Sequence, residues 1–351
     1  MNKDEIPQLM YGIYLKGHGD YDMLEYREDI PVPELGADEV LIKVSAAGVN
    51  NTDLNTRIGW YSKGDANSED ASWSGSAIGF PRIQGADVCG RIVAVGKNVS
   101  EDRLNERVLI EPCIREVKGE LLEQAWYYGS ECNGGFAQFT TVASRHAHAV
   151  NSTMSDIELA SFPCSYSTAE NLLTRSRVTE NDTVFITGAS GGVGSAAIQL
   201  AKARGAQVIA VTSPSKVDEL KDLGADKVVL RDEDWLTTLG ENSVEVVIDL
   251  VAGDKFPLLL DLLKPFGRYA VSGAIGGAHV NLDVRTLYLK DLDLLGCTIF
   301  KEEVFINLIK RIENGDVKPL VAASYPLKNI VDAQKAFTEK KHTGKIVLRL
   351  D

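Results

Sequence analysis

No stretch of this chain stays apolar for the ~18–20 residues that a membrane-spanning helix requires. The opening MNKDEIPQLM is polar, without the apolar centre of a secretory leader, so a cytoplasmic protein is expected. Positive charge is in deficit, with 37 Lys and Arg against 50 Asp and Glu and a net charge of −13. That balance leaves no basic footprint for nucleic acid or for an anionic membrane surface. Cysteine is scarce: Cys89, Cys113, Cys132, Cys164 and Cys297 are odd in number, widely spaced and never in a C-x-x-C pair. Neither a disulfide framework nor a zinc ribbon follows from them, and buried reduced thiols are expected. Internal repeats and low-complexity tracts are also missing. What is present is an ordinary globular balance, 44% apolar and 25% charged. At 351 residues the chain exceeds what one core usually organises, which predicts two domains.

The first part is β-rich. Val40–Ser45, Arg91–Gly96 and Arg107–Ile110 are short apolar runs bounded by Gly, Asn or Asp, and predict strands of a compact, partly closed sheet. Tyr61–Gly79 has loop composition and predicts a lid or binding loop. The pattern changes near Ser155, where Ser155 and Glu158 stand at capping-box spacing. Strands at Thr183–Thr187, Gln207–Thr212, Asp226–Leu230, Val244–Leu250, Gly267–Gly273 and Leu292–Ile299 then alternate with helices at Val193–Arg204, Val217–Leu223 and Phe256–Leu263. This rhythm predicts a doubly wound parallel sheet, an α/β fold with helices on both faces. Two amphipathic helices, Val304–Glu313 and Ile330–Phe337, and a closing strand from Lys345 are expected to rejoin the first domain. The predicted division is 1–165 with 300–351 for the β-rich domain and 166–299 for the doubly wound one.

Gly188, Gly191, Gly192 and Gly194 lie between the first of those strands and the helix that follows it. In that setting Gly191 and Gly192 let backbone approach a pyrophosphate, and the free N–H groups at the positive end of the helix face it. Gly194 lets the helix lie against the sheet. A nicotinamide dinucleotide is the predicted ligand; a purely structural turn and S-adenosylmethionine are the alternatives. The next strand ends in Val211-Thr-Ser-Pro-Ser-Lys216, without the carboxylate that would take a ribose 2′-OH. Thr212, Ser213, Ser215 and Lys216 suit a 2′-phosphate, so NADPH is expected rather than NADH.

Four segments resemble the medium-chain dehydrogenase/reductase superfamily: Gly48–Asp53, Gly85–Gly96, Ala189–Gly194 with Gln199, and Gly344–Leu348. They span nearly the whole chain in the expected order. Ala189 looks like the quinone oxidoreductase side, whereas Phe162–Glu170 looks more like an alcohol dehydrogenase-like branch. The resemblance implies a GroES-like catalytic domain beside a Rossmann cofactor domain, a substrate cleft between them, and a homodimer or homotetramer. It also implies zinc positions at Asn50, Ala86 and Cys164, of which only Cys164 is a zinc ligand type. A catalytic zinc needs three protein ligands, so zinc independence is expected and no metal site is assigned.

Without a Lewis acid, substrates that accept hydride readily are favoured: quinones or alkenes conjugated to a carbonyl. Asn51, Thr52 and Asp53 are the candidate catalytic residues. Trp60, Tyr61, Tyr127, Tyr128, Cys164 and Tyr166 are candidate pocket residues, with packing as the competing reading for each tyrosine and for Trp60. The resemblance carries Ser190, Gly191, Gly192, Val193, Thr212, Ser213 and Lys216 to the cofactor side. Thr168, Val251, Ser272, Gly273, Ala274, Ile299 and Phe300 are expected there too, and Lys345 matches a basic position able to reach the pyrophosphate. The competing readings are an alcohol dehydrogenase with an unusual metal site and a non-catalytic NADP-binding protein.

Overall fold

The computed structural model describes residues 6–62, 72–75 and 77–350. It divides into two compact units, one of Met1–Cys164, Pro319–Lys341 and Lys345–Asp351, the other of Ser165–Lys318 and His342–Gly344.

The first unit is built on a seven-stranded sheet. Its spine is Glu39–Val49, which pairs antiparallel with Cys89–Val95, Phe139–Ala143 and Lys345–Arg349. Val40, Ile42, Ile92, Val108, Ile110 and Phe136 are fully buried, as the alternating pattern demands. The last strand sets Ile346 opposite Val49, so Lys345 falls opposite Asn50. Two hairpins complete the unit, Leu9–Leu15 with Leu24–Pro31 and Cys113–Val117 with Glu120–Tyr127. Of the Tyr61–Gly79 segment, residues 63–71 and 76 lie outside the described residues.

The second unit holds a six-stranded, all-parallel sheet. Counted along the chain its strands are Thr183–Ile186, Gln207–Thr212, Lys227–Leu230, Val244–Asp249, Leu263–Val271 and Asp293–Gly296, in spatial order 3-2-1-4-5-6. That order is the doubly wound Rossmann arrangement, with its reversal beside the first strand. Val184, Phe185, Ile186, Val246, Val247 and Ile248 are all inaccessible, because both faces of a parallel sheet are covered.

The chain leaves this unit later than the pattern predicts. The helix Glu302–Asn314 was expected to rejoin the β-rich domain, yet it belongs to the second unit. Its buried face of Val304, Phe305, Leu308, Ile309 and Ile312 is worth about 1.5–3 kcal/mol per side chain. Arg311 also faces Glu170 at 3.7 Å. The return falls at Pro319, just past a lock in which Gln199 accepts the Lys318 N–H at 2.8 Å and donates to the Tyr166 hydroxyl at 3.0 Å. Among the described residues no helix is long and apolar enough to cross a membrane, and no disulfide links the cysteines.

Candidate active site and cofactor site

In the first unit, the turn after the central strand opens into the helix Asn51–Arg57. The Asp53 carboxylate accepts the Asn50 N–H at 2.8 Å, the reach-back bond of a capping box, and Gln84 holds the Asp53 carbonyl at 2.8 Å. Asp53 is 2% exposed. Burial pushes its carboxyl up to about 7, with the nearby Asp87 adding to the rise, while the Asn50 N–H and the Lys345 charge oppose it. Asp53, expected to be catalytic, is therefore a helix cap closed off from solvent.

Asp87 organises the centre of this cluster. Its Oδ1 accepts the Cys164 N–H at 2.5 Å, and its Oδ2 accepts the Asn50 amide at 2.9 Å and faces the Lys345 ammonium at 2.8 Å. Lys345 also donates to Asn50 Oδ1. The carboxylate fits because residue 48 is glycine: a Cβ there would lie 2.3 Å from Asp87 Oδ2. Lys345, expected to reach the cofactor pyrophosphate, is instead 2% exposed and committed to Asp87 and Asn50.

Cys164 opens the helix Pro163–Arg175, and its sulfur lies 2.9 Å from the Tyr127 hydroxyl. Burial, then the Asp87 charge, push the thiol up to about 12, so it is held as SH at neutral pH. Burial raises the Tyr127 phenol as well. Trp73 leans on the Tyr127 ring, with centroids 5.1 Å apart. Tyr61 donates to Thr52 Oγ1 at 3.2 Å, and burial raises its phenol too. Asn51 is exposed, with Lys340 donating to its Oδ1 at 3.1 Å, and Trp60 is 45% exposed. The cluster thus presents neutral donors rather than a thiolate.

Two tyrosines expected to line the pocket are interior packing. Tyr128 is buried in the first unit with its hydroxyl against Thr140 Oγ1. Tyr166 is buried in the second unit and donates to the Lys318 carbonyl at 2.7 Å.

The glycine turn of the second unit leads into the helix Gly192–Ala203, whose N-cap, Gly191, has no side chain to satisfy the first N–H groups. At Gly194 a Cβ would lie 2.4 Å from Gly188 O and 2.6 Å from Ala189 Cα, so the turn itself forbids a side chain. At Gly191 a Cβ would meet only Gly188 O, at 3.4 Å, and φ −74°, ψ 172° is open to any residue. Among the described residues no contact requires glycine at 191.

Beyond the second strand, Ser213 and Arg231 line a cavity of about 260 Å³ with Pro214, Leu230, Asp232 and Glu233. Glu233 is already used, accepting the Leu230 N–H at 3.1 Å. Lys216 donates to the His342 carbonyl at 2.6 Å; burial lowers its pKa, with Glu219 opposing the shift and Arg231 adding to it. Thr212, expected to contact the ribose phosphate, is 2% exposed with its hydroxyl enclosed, so it cannot. Ser190, Gly192, Val193, Thr168, Val251, Ser272 and Ala274 are half-buried, and Gly273 is exposed. Of the pair at 299–300, Ile299 is exposed and Phe300 is buried in the core.

Arg231, Asp249 and the pairing of Asp87 with Lys345 have no counterpart among the residues expected from sequence. Arg231 stands just past the third strand, a basic position that attention to the second strand alone overlooks. Asp249, fully buried, receives Thr187 Oγ1 and the Tyr269 hydroxyl at 2.6 Å each and the Val251 and Ala252 N–H groups at 2.9 and 3.1 Å, fixing the Val251 loop. The Asp87–Lys345 pair spans more than 250 positions and has no local signature.

A parallel 3-2-1-4-5-6 sheet with a glycine turn at its reversal, joined in one chain to a β-rich unit of this kind, defines a two-domain oxidoreductase. Residues 192–314 match the zinc-binding dehydrogenase family and residues 36–152 the alcohol dehydrogenase GroES-like domain. The quinone oxidoreductase of Rattus norvegicus is 30% identical, with 98% of both chains covered. The NAD-dependent alcohol dehydrogenase of Sulfolobus acidocaldarius is 28% identical over 92% of this chain and 95% of its own. A crystal structure from Sinorhizobium meliloti 1021, provisionally described as an alcohol dehydrogenase, superposes with a TM-score of 0.91 at 43% identity, covering 99% of this chain and 98% of that one. The chain belongs to the medium-chain dehydrogenase/reductase superfamily.

The zinc implied by the matching family does not suit the residues present. Asn50 offers only an amide, whose oxygen already takes the Lys345 ammonium, the Ala86 side chain offers no donor atom, and Cys164 alone is a common zinc ligand type. Among the described residues no three His, Cys, Asp or Glu side chains are grouped to hold a metal ion.

Proposed function

We propose that this is a cytoplasmic, zinc-independent reductase that uses NADPH to reduce a quinone or an alkene conjugated to a carbonyl. The observation that carries the cofactor assignment is Gly191, a glycine with no internal reason to be one, placed at an uncapped helix N-terminus. A dinucleotide pyrophosphate passing over that backbone supplies the reason. Ser190, Gly191, Gly192 and Val193 would hold it, with Ser213, Lys216 and Arg231 around a 2′-phosphate. Asp232 and Glu233 beside the same cavity favour a second reading, NADH with a carboxylate on the ribose.

NADPH, when bound, supplies hydride. The protein's part is to bind and orient the acceptor and to offer neutral donors to the oxygen on which negative charge develops. Thr52, Tyr61 and Tyr127 are hydroxyls of the first unit that could serve, and Asn51 and Trp60 are exposed side chains of the same unit. With no metal to polarise a simple ketone, acceptors that are already electron-poor fit best.

The test is NADPH oxidation by chelator-treated protein against quinones, enones, enals and saturated aldehydes. Turnover confined to the first three classes is expected. Activity only on alcohols or saturated aldehydes, restored by added zinc, would overturn the proposal; tight NADPH binding with no turnover would mark a non-catalytic protein. The partner we propose is a second copy of the chain. Val284, Tyr288 and Leu289 of the helix Val284–Leu289 and Leu294 of the edge strand Asp293–Gly296 are exposed apolar side chains, and light scattering should give a dimeric or tetrameric mass.

A further inference from the structure

We propose that Asp249 is a positioning residue for the nicotinamide half of the cofactor. Its buried carboxylate ties together the loops that follow the first, fourth and fifth strands of the parallel sheet, and it pins Ala252 in a backbone conformation that alanine avoids. This rests on the dinucleotide reading of the glycine turn and deepens it.

The Asp249 side chain is inaccessible, and both of its oxygens are bonded. Oδ1 accepts the Thr187 hydroxyl at 2.6 Å, the Val251 N–H at 2.9 Å and the Ala252 N–H at 3.1 Å, and Oδ2 accepts the Tyr269 hydroxyl at 2.6 Å. Thr187 directly follows the first strand, and its Oγ1 also accepts the Leu250 N–H at 2.9 Å. Tyr269 lies on the fifth strand. Two main-chain bonds join the fourth and fifth loops, Ser272 N–H to the Asp249 carbonyl at 3.2 Å and Gly276 N–H to the Val251 carbonyl at 2.7 Å.

Ala252 has φ 57° and ψ −145°. No region open to a residue with a Cβ includes that pair, which borders one left to glycine. A conformation of this kind persists only where surrounding bonds over-determine it, and Asp249 supplies two of them at residues 251 and 252. The same loop reaches the glycine turn, since a Cβ on Gly188 would lie 3.2 Å from Val251 Cγ2. In the order 3-2-1-4-5-6 a dinucleotide crosses the reversal with one mononucleotide on each half of the sheet. The glycine turn and Arg231 belong to the half of strands one to three, whereas Asp249, Ala252 and Tyr269 belong to the other. A loop set before the cofactor arrives spares binding the cost of ordering it.

Calorimetric titration with NADPH and with adenosine 2′,5′-bisphosphate, which carries the adenosine end alone, separates positioning from a general loss of structure. Asp249→Ala should weaken NADPH about tenfold or more and leave the bisphosphate within about twofold. Asp249→Asn should recover most of that loss, because its Oδ1 can keep three bonds and its amide can donate to the Tyr269 oxygen. Tyr269→Phe keeps the ring and loses one bond; it should weaken NADPH about threefold with the same selectivity, and it decides the matter if Asp249→Ala does not fold. Ala252→Gly should raise the unfolding midpoint by about 2–4 °C as the strain is relieved. Equal losses for the two ligands, unchanged NADPH affinity in the folded variants, no recovery by Asp249→Asn, or a lowered midpoint for Ala252→Gly each overturns the proposal. Wild type that binds neither ligand sinks the dinucleotide reading itself, whereas wild type that binds both leaves that reading standing whatever the variants do.

Discussion

Replacing Gly191 with serine should make the second unit more stable and the protein unable to hold its cofactor well. Serine at this N-cap gains a few tenths of a kcal/mol over glycine by accepting an N–H of the first helical turn. Lost freedom in the unfolded chain adds about 0.4–1 kcal/mol, because the native φ and ψ suit any residue. The new Cβ meets only Gly188 O at 3.4 Å, an ordinary contact. The sum is about 1 kcal/mol, or a rise of roughly 2–4 °C in the unfolding midpoint for a unit of this size. The same hydroxyl consumes an N–H that a pyrophosphate would use, and the side chain keeps the anion off the backbone. A hydrogen bond to a charged group is worth about 1.5–3 kcal/mol, so NADPH affinity should drop by at least about tenfold. Differential scanning fluorimetry without ligand and calorimetric titration with NADPH separate the two effects. A stable Gly191→Ser protein that binds NADPH within threefold of wild type would refute the reasoning.

Arg231→Ala should weaken NADPH binding about tenfold or more while leaving NADH within twofold; equal losses for both would remove Arg231 from the 2′-phosphate. Asp53→Asn should change the pH dependence of stability. The folded carboxyl, at about 7, lies above its usual 3.8, so its contribution is present at low pH and is lost as pH rises through about 7. Relief of that cost is worth about 4 kcal/mol by linkage, less about 1 kcal/mol for a lost backbone hydrogen bond. The variant should therefore match or trail wild type at pH 4 and exceed it at pH 8; parallel stability curves would count against the assignment. Glu111→Gln tests the opposite sign. Burial would raise this carboxyl, but hydrogen bonds from His146 and His148 and the charge of Arg115 hold it at about 2. Wild type should lead the variant by several kcal/mol at neutral pH, about 3–5 for breaking a buried pair, and the lead should vanish as pH falls from about 4.5 toward 2; an unchanged gap would show that the pairing is not what stabilises this corner.

The parallel sheet was legible because its signals are local. Each of Thr183–Ile186, Gln207–Thr212 and Val244–Asp249 is an apolar run between helical segments, and the glycines at 188–194 mark the turn between strand and helix. The helix Asn51–Arg57 has a local signature too, since Asn50 and Asp53 stand three apart as a capping box requires. The fates of Tyr128 and Tyr166 were not legible. Whether a tyrosine lines a pocket or plugs a core depends on partners such as Thr140 and Lys318, and Lys318 is far from Tyr166 along the chain. The same holds for Lys345, whose partners Asn50 and Asp87 lie at the other end of the sequence. Thr212 shows a finer failure: pattern placed it correctly at a strand end, but one residue decides whether a side chain points into the fold or out of it.

The strand Lys345–Arg349 sits inside the first unit's sheet, between Val321–Pro326 and Glu39–Val49. All six strands of the parallel sheet are present in the chain by Gly296, whereas the first unit still lacks an interior strand until Lys345–Arg349 is added. A chain interrupted between residues 319 and 344 would carry every strand of the parallel sheet beside a β-structure missing one of its inner staves.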